Sequence, residues 1–344
     1  MGIGGFRLDG GRGKMSSNRY SRCCGGLALS LSLVIAGVAW HAHAQSYPSR
    51  LLRIIVPTSA STPPDIISRI TATALSESEG WSMVVENKPG AVQTLGAVEV
   101  LRQPADGYSM LAVGTPVTAA QSIVPRISFN LNTDFAGVVQ VTKSGNVLVV
   151  NPAVPATTID ELVAYLKQNP DKLTYSSGGF GTPAHLIGEL FRLNTGVRVT
   201  HVPYNDFPRA ISDLVQGVNT YQFITVLPVV GLIQTGKLRA LAVTSPQRVP
   251  TLPEVPTVSE AGHPELTTQD WVGLSVRAGT PPEAIARLNA AVNKVLALPK
   301  VGEALEKIGS EPAGGSVEQY TDLVRSQVAL WAKVVNDAGL KLPQ

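Results

Sequence analysis

From residue 51 the chain alternates short apolar runs with segments whose apolar residues recur every three to four positions. Residues 51–57 form an apolar run interrupted only by Arg53, the pattern of a strand buried on both faces. Ile66, Ile70 and Ala74 follow at helical spacing, with Ile67 and Leu75 beside them. Segments 82–86, 108–113, 138–141 and 147–150 read as further strands, and Asp106-Gly107 supplies the turn before 108–113. The middle repeats the scheme, with helices at 159–167, 184–193 and 210–215 and strands at 173–176, 197–202, 221–226 and 238–243. After a proline-rich stretch, 250–256, comes a strand at 271–276. A helix striped by Ile285, Leu288, Val292 and Val295 follows, and another spans 320–335. Such alternation predicts an α/β fold with largely parallel sheets flanked by helices. Two such units suggest two lobes with a cleft, and in open α/β sheets ligands sit beyond the carboxyl ends of the strands.

The first 44 residues depart from this pattern. Arg7, Arg12, Lys14, Arg19 and Arg22 make a basic leader, an apolar run covers 27–40, and Ala42-His43-Ala44 gives the small-x-small signature of a cleavage site. The apolar run is short for a membrane span. The expectation is therefore a secretory signal over 1–44, cut after Ala44, with Met1 or Met15 as the start. The 344-residue chain carries a net charge of +3, and removing the leader brings it to −1. The basic character belongs to the leader, and no basic patch argues for nucleic acid. Both cysteines, Cys23 and Cys24, also lie there, so the mature chain has neither disulfides nor thiolate chemistry. Export without structural cysteines suits a bacterial periplasm.

Candidate chemistry lies in the strand-to-helix turns. In "VPTSASTPPDIISR", 56–69, Thr58, Ser59, Ala60, Ser61 and Thr62 separate a buried strand from a helix opened by Pro63. Thr62 is placed as an N-cap and Asp65 stands three residues on, so the turn reads either as a plain capping box or as an anion site at a helix N-terminus. Pro63 and Pro64 remove two N–H donors. Thr280-Pro281-Pro282-Glu283 repeats the form without the hydroxyl-rich approach. A second turn, "YSSGGFGTPAHL", 175–186, offers Ser176, Ser177, Phe180, Thr182 and His185 around glycines that permit close approach, or is a flexible connector. Thr115 and Thr118 follow strand 108–113. Tyr204 and Asp206 follow strand 197–202, with Asp206 either capping the next helix or meeting a ligand donor. Thr225 ends strand 221–226.

Catalytic patterns are sparse. The mature histidines, His185, His201 and His263, show no metal-ligand spacing, and neither H-E-x-x-H nor G-x-S-x-G occurs. A Ser177/His185 pairing is conceivable, but no third member presents itself. No cofactor or metal is expected.

The segments "YPSRLLRIIVP" (47–57), "VVENKPGA" (84–91), "ADGYSML" (105–111), "VLVVNP" (147–152), "KLTYSSGGFGTPAHLIGELF" (172–191), "HVPYND" (201–206), "GKLRALAVTSPQR" (236–248) and "LPEVPTVSEAG" (252–262) resemble, in order, the solute receptors of tripartite tricarboxylate transporters, the Bug receptors. The resemblance covers 46–340. It implies a two-lobed periplasmic-binding-protein fold, each lobe a mixed, mainly parallel sheet flanked by helices. Lobe 1 would comprise 45–147 plus 244–344, and lobe 2 would comprise 148–243. It also implies a monomeric receptor, not an enzyme, that closes on a small organic acid and hands it to membrane permease components. A sensor for a membrane kinase and an exported Ser/His hydrolase are the alternatives. The departures cluster at the ligand turns. The glycines usual after V-P-x-x-P are absent around 58–64, the S-S-G-x-G-[ST] turn is longer or shifted at 176–182, and Asn205-Asp206 replaces a basic residue and glycine. The usual Phe-Asp is Phe223-Ile224-Thr225. These changes imply an altered ligand: a less strongly charged, larger or aromatic acid, with Phe180 as an apolar wall and hydroxyls supplying the polarity.

Overall fold

The apolar runs become strands and the striped segments become helices. A computed structural model describes residues 47–204 and 206–340. The leader, 1–44, and Asn205 lie outside the described residues. In chain order the elements are β1 (Leu52–Val56), α1 (Pro63–Glu79), β2 (Met83–Asn87), α2 (Thr94–Leu101), β3 (Ser109–Gly114), α3 (Thr115–Ile123), α4 (Leu131–Asp134), β4 (Phe135–Ser144), β5 (Asn146–Val150) and α5 (Ile159–Gln168). Then follow β6 (Thr174–Ser177), α6 (Pro183–Thr195), β7 (Thr200–Pro203), α7 (Phe207–Val215), β8 (Tyr221–Thr225), α8 (Val230–Gln234), β9 (Arg239–Val243), β10 (Asp270–Arg277), α9 (Pro282–Leu296), α10 (Pro299–Glu306), β11 (Glu311–Pro312) and α11 (Val317–Asp337).

Two sheets organise these elements. The first has the order β11-β4-β10-β3-β1-β2 and the second β7-β6-β8-β5-β9. β1 lies inside the first sheet, which is why all its residues except Arg53 are buried and its sequence runs apolar without alternation. Four of the nine strand pairings are parallel and five antiparallel, so the sheets are less parallel than the alternation predicts. Besides β4, between β10 and β11, one inserted strand in each sheet runs against both neighbours: β10 between β3 and β4, and β5 between β8 and β9. Each is the first strand laid down after the chain crosses from the other sheet. A pattern of strands and helices does not reveal such crossings.

Other differences are local. The strand expected from residue 197 begins at Thr200, because Gly196 ends α6 in the left-handed region (φ 68°) and Val197 turns into the core. The segment at 115–118, expected as a turn, is the start of α3. Helix α2 was not anticipated, since its eight residues are too few and too evenly apolar to show a stripe.

Both faces of each sheet are covered. Ile54, Leu75, Val138, Leu288 and Val292 pack one face of the first sheet against α1 and α9. Ile55, Ala97, Val117, Trp271 and Tyr320 fill the other. In the second sheet, Leu148, Tyr175, Phe191 and Tyr221 lie on the α5–α6 side, and Val147, Leu214 and Ile224 on the α7 side.

The chain passes from β4 to β5 through Gly145 alone. A Cβ there would stand 2.9 Å from Ser245 Oγ, so the close approach of the outgoing and returning segments requires glycine. Buried Thr244 ties the two together. Its N–H donates to Asn146 O (2.7 Å), its hydroxyl to Thr268 O (2.8 Å), and its O accepts from Thr268 N–H (2.9 Å). Helix α11 makes a further connection. Tyr320 and Val324, in its first half, pack into the core of the first sheet, while Trp331, Val334 and Val335 pack into that of the second. One continuous helix thus serves both lobes.

Trp331 is 1 % exposed. Trp331→Ala is expected to cost ~3–5 kcal/mol of stability, read from urea unfolding curves. A loss below ~1 kcal/mol would show that the second half of α11 does not hold the second lobe.

Candidate functional site

A cavity of about 260 Å³ lies between the two sheets. The first sheet contributes Pro57, Thr58, Thr62, Pro63, Pro64 and Ile67 from the β1–α1 turn and its helix, Gln93 before α2, and Ala112, Val113, Gly114 and Pro116 from β3–α3. Thr142 and Ser144 come from β4, Asp270, Trp271 and Val272 from β10, and Ile308, Gly309 and Ser310 from the segment before β11. The second sheet contributes Thr182, Pro183 and Thr225. The volume lies just below the range of drug-sized pockets, which suits a small ligand.

Three helices begin at this cavity: α1 at Pro63, α3 at Thr115-Pro116 and α6 at Pro183. Their N-terminal partial charges make the space favourable to an anion. Proline at the first positions takes away N–H donors but not the dipole. At Thr62 and Thr182 the side chain does not cap the helix. Each hydroxyl instead donates to a carbonyl three residues back, Ser59 O at 2.8 Å and Gly179 O at 2.7 Å. Thr280, before α9, does the same to Arg277 O at 2.7 Å. The threonine-proline start is therefore a general device of this chain, and the position of the turn decides whether it meets a ligand.

The first turn is held from behind. Asp65 is buried and accepts from Ser61 N–H (2.9 Å), Arg69 Nε (3.0 Å) and Asn87 Nδ2 (2.9 Å). Asn87 also donates to Thr58 O (3.0 Å). Asp65 thus braces the turn instead of lining the cavity. Ser61 sits at φ 64°, a conformation that costs a non-glycine residue about 1 kcal/mol. Ser59, Ala60 and Ser61 form the exposed outer side of the turn, while Thr58 and Thr62 face the cavity. Before α2, Ala91, Val92 and Gln93 are also left-handed (φ 48°, 53°, 67°). Val92 packs on the core of the second sheet, and a Cβ at Gly181 would stand 3.3 Å from it. The two strained turns therefore meet the cavity from the first lobe, one of them touching the second.

Of the side chains expected from the second turn only Thr182 lines the cavity, with Pro183 beside it. β6 runs on to Ser177, so Ser176 and Ser177 are strand residues and both are fully buried. Ser176 Oγ donates to Gln222 Oε1 (3.2 Å) on the neighbouring strand. Ser177 Oγ is 2.7 Å from His201 Nε2. The Ser177/His185 pairing does not form; His185 Nδ1 accepts from Gly181 N–H at 3.1 Å instead. Phe180 is no cavity wall. It is exposed at the rim and heads a column of rings: Phe180–His185 (4.6 Å), His185–His201 (4.2 Å), His201–Tyr175 (4.9 Å) and Tyr175–Tyr221 (5.6 Å between centroids). This column supports the glycine-rich turn from below.

The remaining expected residues divide. Thr225 lines the cavity. Thr115 is buried beside it and donates to Asp270 Oδ1 (3.2 Å). Thr118 is wholly buried, its hydroxyl donating to Thr115 O (2.7 Å). Asp206 caps α7, accepting from Arg209 N–H. Tyr204 donates to Asp213 (2.8 Å) and accepts from Asn219 (2.8 Å). Neither of the last two reaches the cavity. Gln93, Thr142, Ser144, Asp270 and Ser310 do, and the reading of the turns missed them.

Residues 67–340 match the tripartite tricarboxylate transporter family receptor. The chain belongs to this receptor family. It is 32 % identical to the protein BugT of Bordetella pertussis over 91 % of its length and 97 % of that protein's. Among solved structures, R. palustris Rpa4515 with adipate shares 33 % identity with a TM-score of 0.73, over 86 % of this chain and 100 % of that one. MatC from Rhodopseudomonas palustris with bound malate shares 27 % with a TM-score of 0.70, over 84 % and 100 %. The family's receptors are periplasmic binding proteins, not enzymes. No helix among the described residues of this receptor is long and apolar enough to cross a membrane.

The ring column is expected to make the stability of this receptor acid-sensitive. Burial, then neighbouring His201, pushes His185 down to about 4, and burial does the same to His201, while Glu189 opposes both. Both rings are neutral when folded and titrate near 6.5 when unfolded. Their contribution is complete above about pH 6.5 and is lost as pH falls toward 4. For His185 alone the full loss is about 3 kcal/mol. Asp270, pushed by burial up to about 6, works the other way, since the folded state takes up its proton first and regains stability below that pH. Thermal melting between about pH 7.5 and 4.5 is expected to fall in wild type and to fall less in His185→Phe. Equal profiles would remove the column from the explanation.

Proposed function

We propose that this chain is an exported receptor that closes on a small organic acid and delivers it to the membrane components of a tripartite tricarboxylate-type transporter. The observation that carries the reading is the shared cavity, where helix N-termini from both lobes converge on a space of about 260 Å³. Closure and opening pivot at Gly145 and at the Thr244 crossing, and α11 flexes or slides between the cores it joins. The dicarboxylates in the two related structures support an acid as the ligand class. The ligand contacts in this reading are Thr58, Thr62, Gln93, Thr182 and Thr225, with Thr115 behind them, and the receptor acts as a monomer.

Protein recovered from the periplasm is expected to begin at Gln45, which intact-mass measurement reads directly; retention of residues 1–44 would contradict export by cleavage. In a melting screen with mono-, di- and tricarboxylates, the cognate acid at ~100 times its dissociation constant is expected to add about 2.7 kcal/mol. The reading fails if no organic acid shifts the transition and denaturation of the purified protein releases no small molecule.

A further inference from the structure

The threonine hydroxyls at the cavity spend their protons within the protein. Thr62 donates its hydroxyl proton to Ser59 O (2.8 Å), so in the 2.6 Å contact between Thr58 Oγ1 and Thr62 Oγ1 the donor is Thr58. Thr182 spends its proton on Gly179 O. Thr115, at the wall, spends its own on Asp270. None of these hydroxyls has a proton left for a ligand, so at the starts of α1 and α6 a carboxylate is met by the helix dipole and backbone N–H groups.

Asp270 adds a negative charge to the lining beside Thr115. Among the described residues that line the cavity it alone is ionisable. The strand register sets it opposite Ser144, another lining residue, so the two share the cavity face of the sheet. Lys143, next to Ser144, is not among the lining residues and stands 3.8 Å from Glu311. Asp270 Oδ1 accepts from Thr115 Oγ1 (3.2 Å) and Trp271 N–H (3.0 Å), two bonds that favour the ionised form. Oδ2 has no hydrogen-bond partner among the described residues. Burial holds the group up to about 6, still below neutral pH. A plain diacid placed here sets a second carboxylate against an ionised one with no side-chain cation on the lining to separate them.

We propose that Asp270 is a specificity-determining residue that selects an acid carrying a protonated amine, the ammonium lying on Oδ2 and the carboxylate toward the N-termini of α1 and α6. The inference rests on the receptor reading above and names its ligand class. The cavity is then bipolar, and a zwitterion matches both ends at once. Groups facing Asp270 are Thr115 from α3, Ser144 from β4 and the backbone of its own strand.

The test is calorimetric titration of wild type and Asp270→Asn with two matched ladders near pH 7.5: straight-chain diacids, and α- and ω-amino acids of the same chain lengths. Wild type is expected to bind its best amino acid at least ~10-fold tighter than the matched diacid, the gap of one good ionic contact. Asp270→Asn, checked as folded by its circular dichroism and melting, is expected to lose that preference while keeping or improving diacid binding. The proposal is overturned if wild type prefers diacids, if the variant keeps the amine preference, or if diacid affinity rises ~10-fold on going to about pH 5.5 with proton uptake, which would make Asp270 a proton donor to a carboxylate. If neither ladder binds wild type, the carboxylate-receptor reading itself falls and takes this inference with it.

Discussion

Everything at the candidate site depends on where three helices are made to start. α1, α3 and α6 each carry proline in their first two positions, two of them in α1, so donors are missing from each first turn, and each start is fixed at the edge of the same cavity. A side-chain cap would place an oxygen over the end of the helix and neutralise part of its field. At Thr62 and Thr182 that oxygen is engaged elsewhere, in bonds to carbonyls of the preceding turn. The helix ends therefore face the cavity uncapped by side chains, and their partial charge is available to a ligand.

Such starts have to be held against the backbone's own preferences. Ser61, Val92 and Gln93 occupy left-handed conformations without being glycine, each at a cost of order 1 kcal/mol. Strain of this kind persists only where the surroundings over-determine it. Around Ser61 the determinant is the Asp65–Asn87–Arg69 network, which fixes Ser61 N–H and Thr58 O together. Around Val92 it is packing on the core of the second sheet. The loops that approach the ligand space are thus rigid by bracing and not by composition, which explains how they keep their course although few glycines remain in them.

Much of the scaffold was legible, because strands buried on two faces and helices with one apolar stripe leave strong periods in the sequence. The turns at 58–62 and at 182, and Thr225, were legible for a different reason: ligands sit beyond the carboxyl ends of parallel strands, and these residues follow such ends. The same rule conceals Asp270. It starts its strand, and a start is the wrong end until one knows that β10 runs antiparallel to β3 and β4. Its first residues then lie level with the last residues of β4, which brings Asp270, Thr142 and Ser144 to one edge. Ser176 and Ser177 failed in the opposite way. The strand was expected to end at Ser176 and free both hydroxyls for a ligand, but pairing with β7 carries it through Ser177, and alternation sends one hydroxyl to Gln222 and the other to His201. In both cases the deciding fact is strand direction or strand length, which depends on partners distant in sequence.

The ring column gives this arrangement a further consequence. Two neutral histidines, Tyr175 and Tyr221 form a continuous stack from the core of the second sheet to Phe180 at the rim, directly beneath the turn that carries Thr182. A proton on either histidine places a charge in a space that holds no acid within hydrogen-bonding reach of the imidazoles among the described residues, since Glu189 is committed to Tyr175 and Arg192. The response open to the structure is to unstack and admit water. The stack lies beneath the turn that carries Thr182 and Pro183, the second lobe's share of the cavity wall together with Thr225. The groups that make the lobe's stability pH-dependent therefore sit in the same stack that underlies its part of the site.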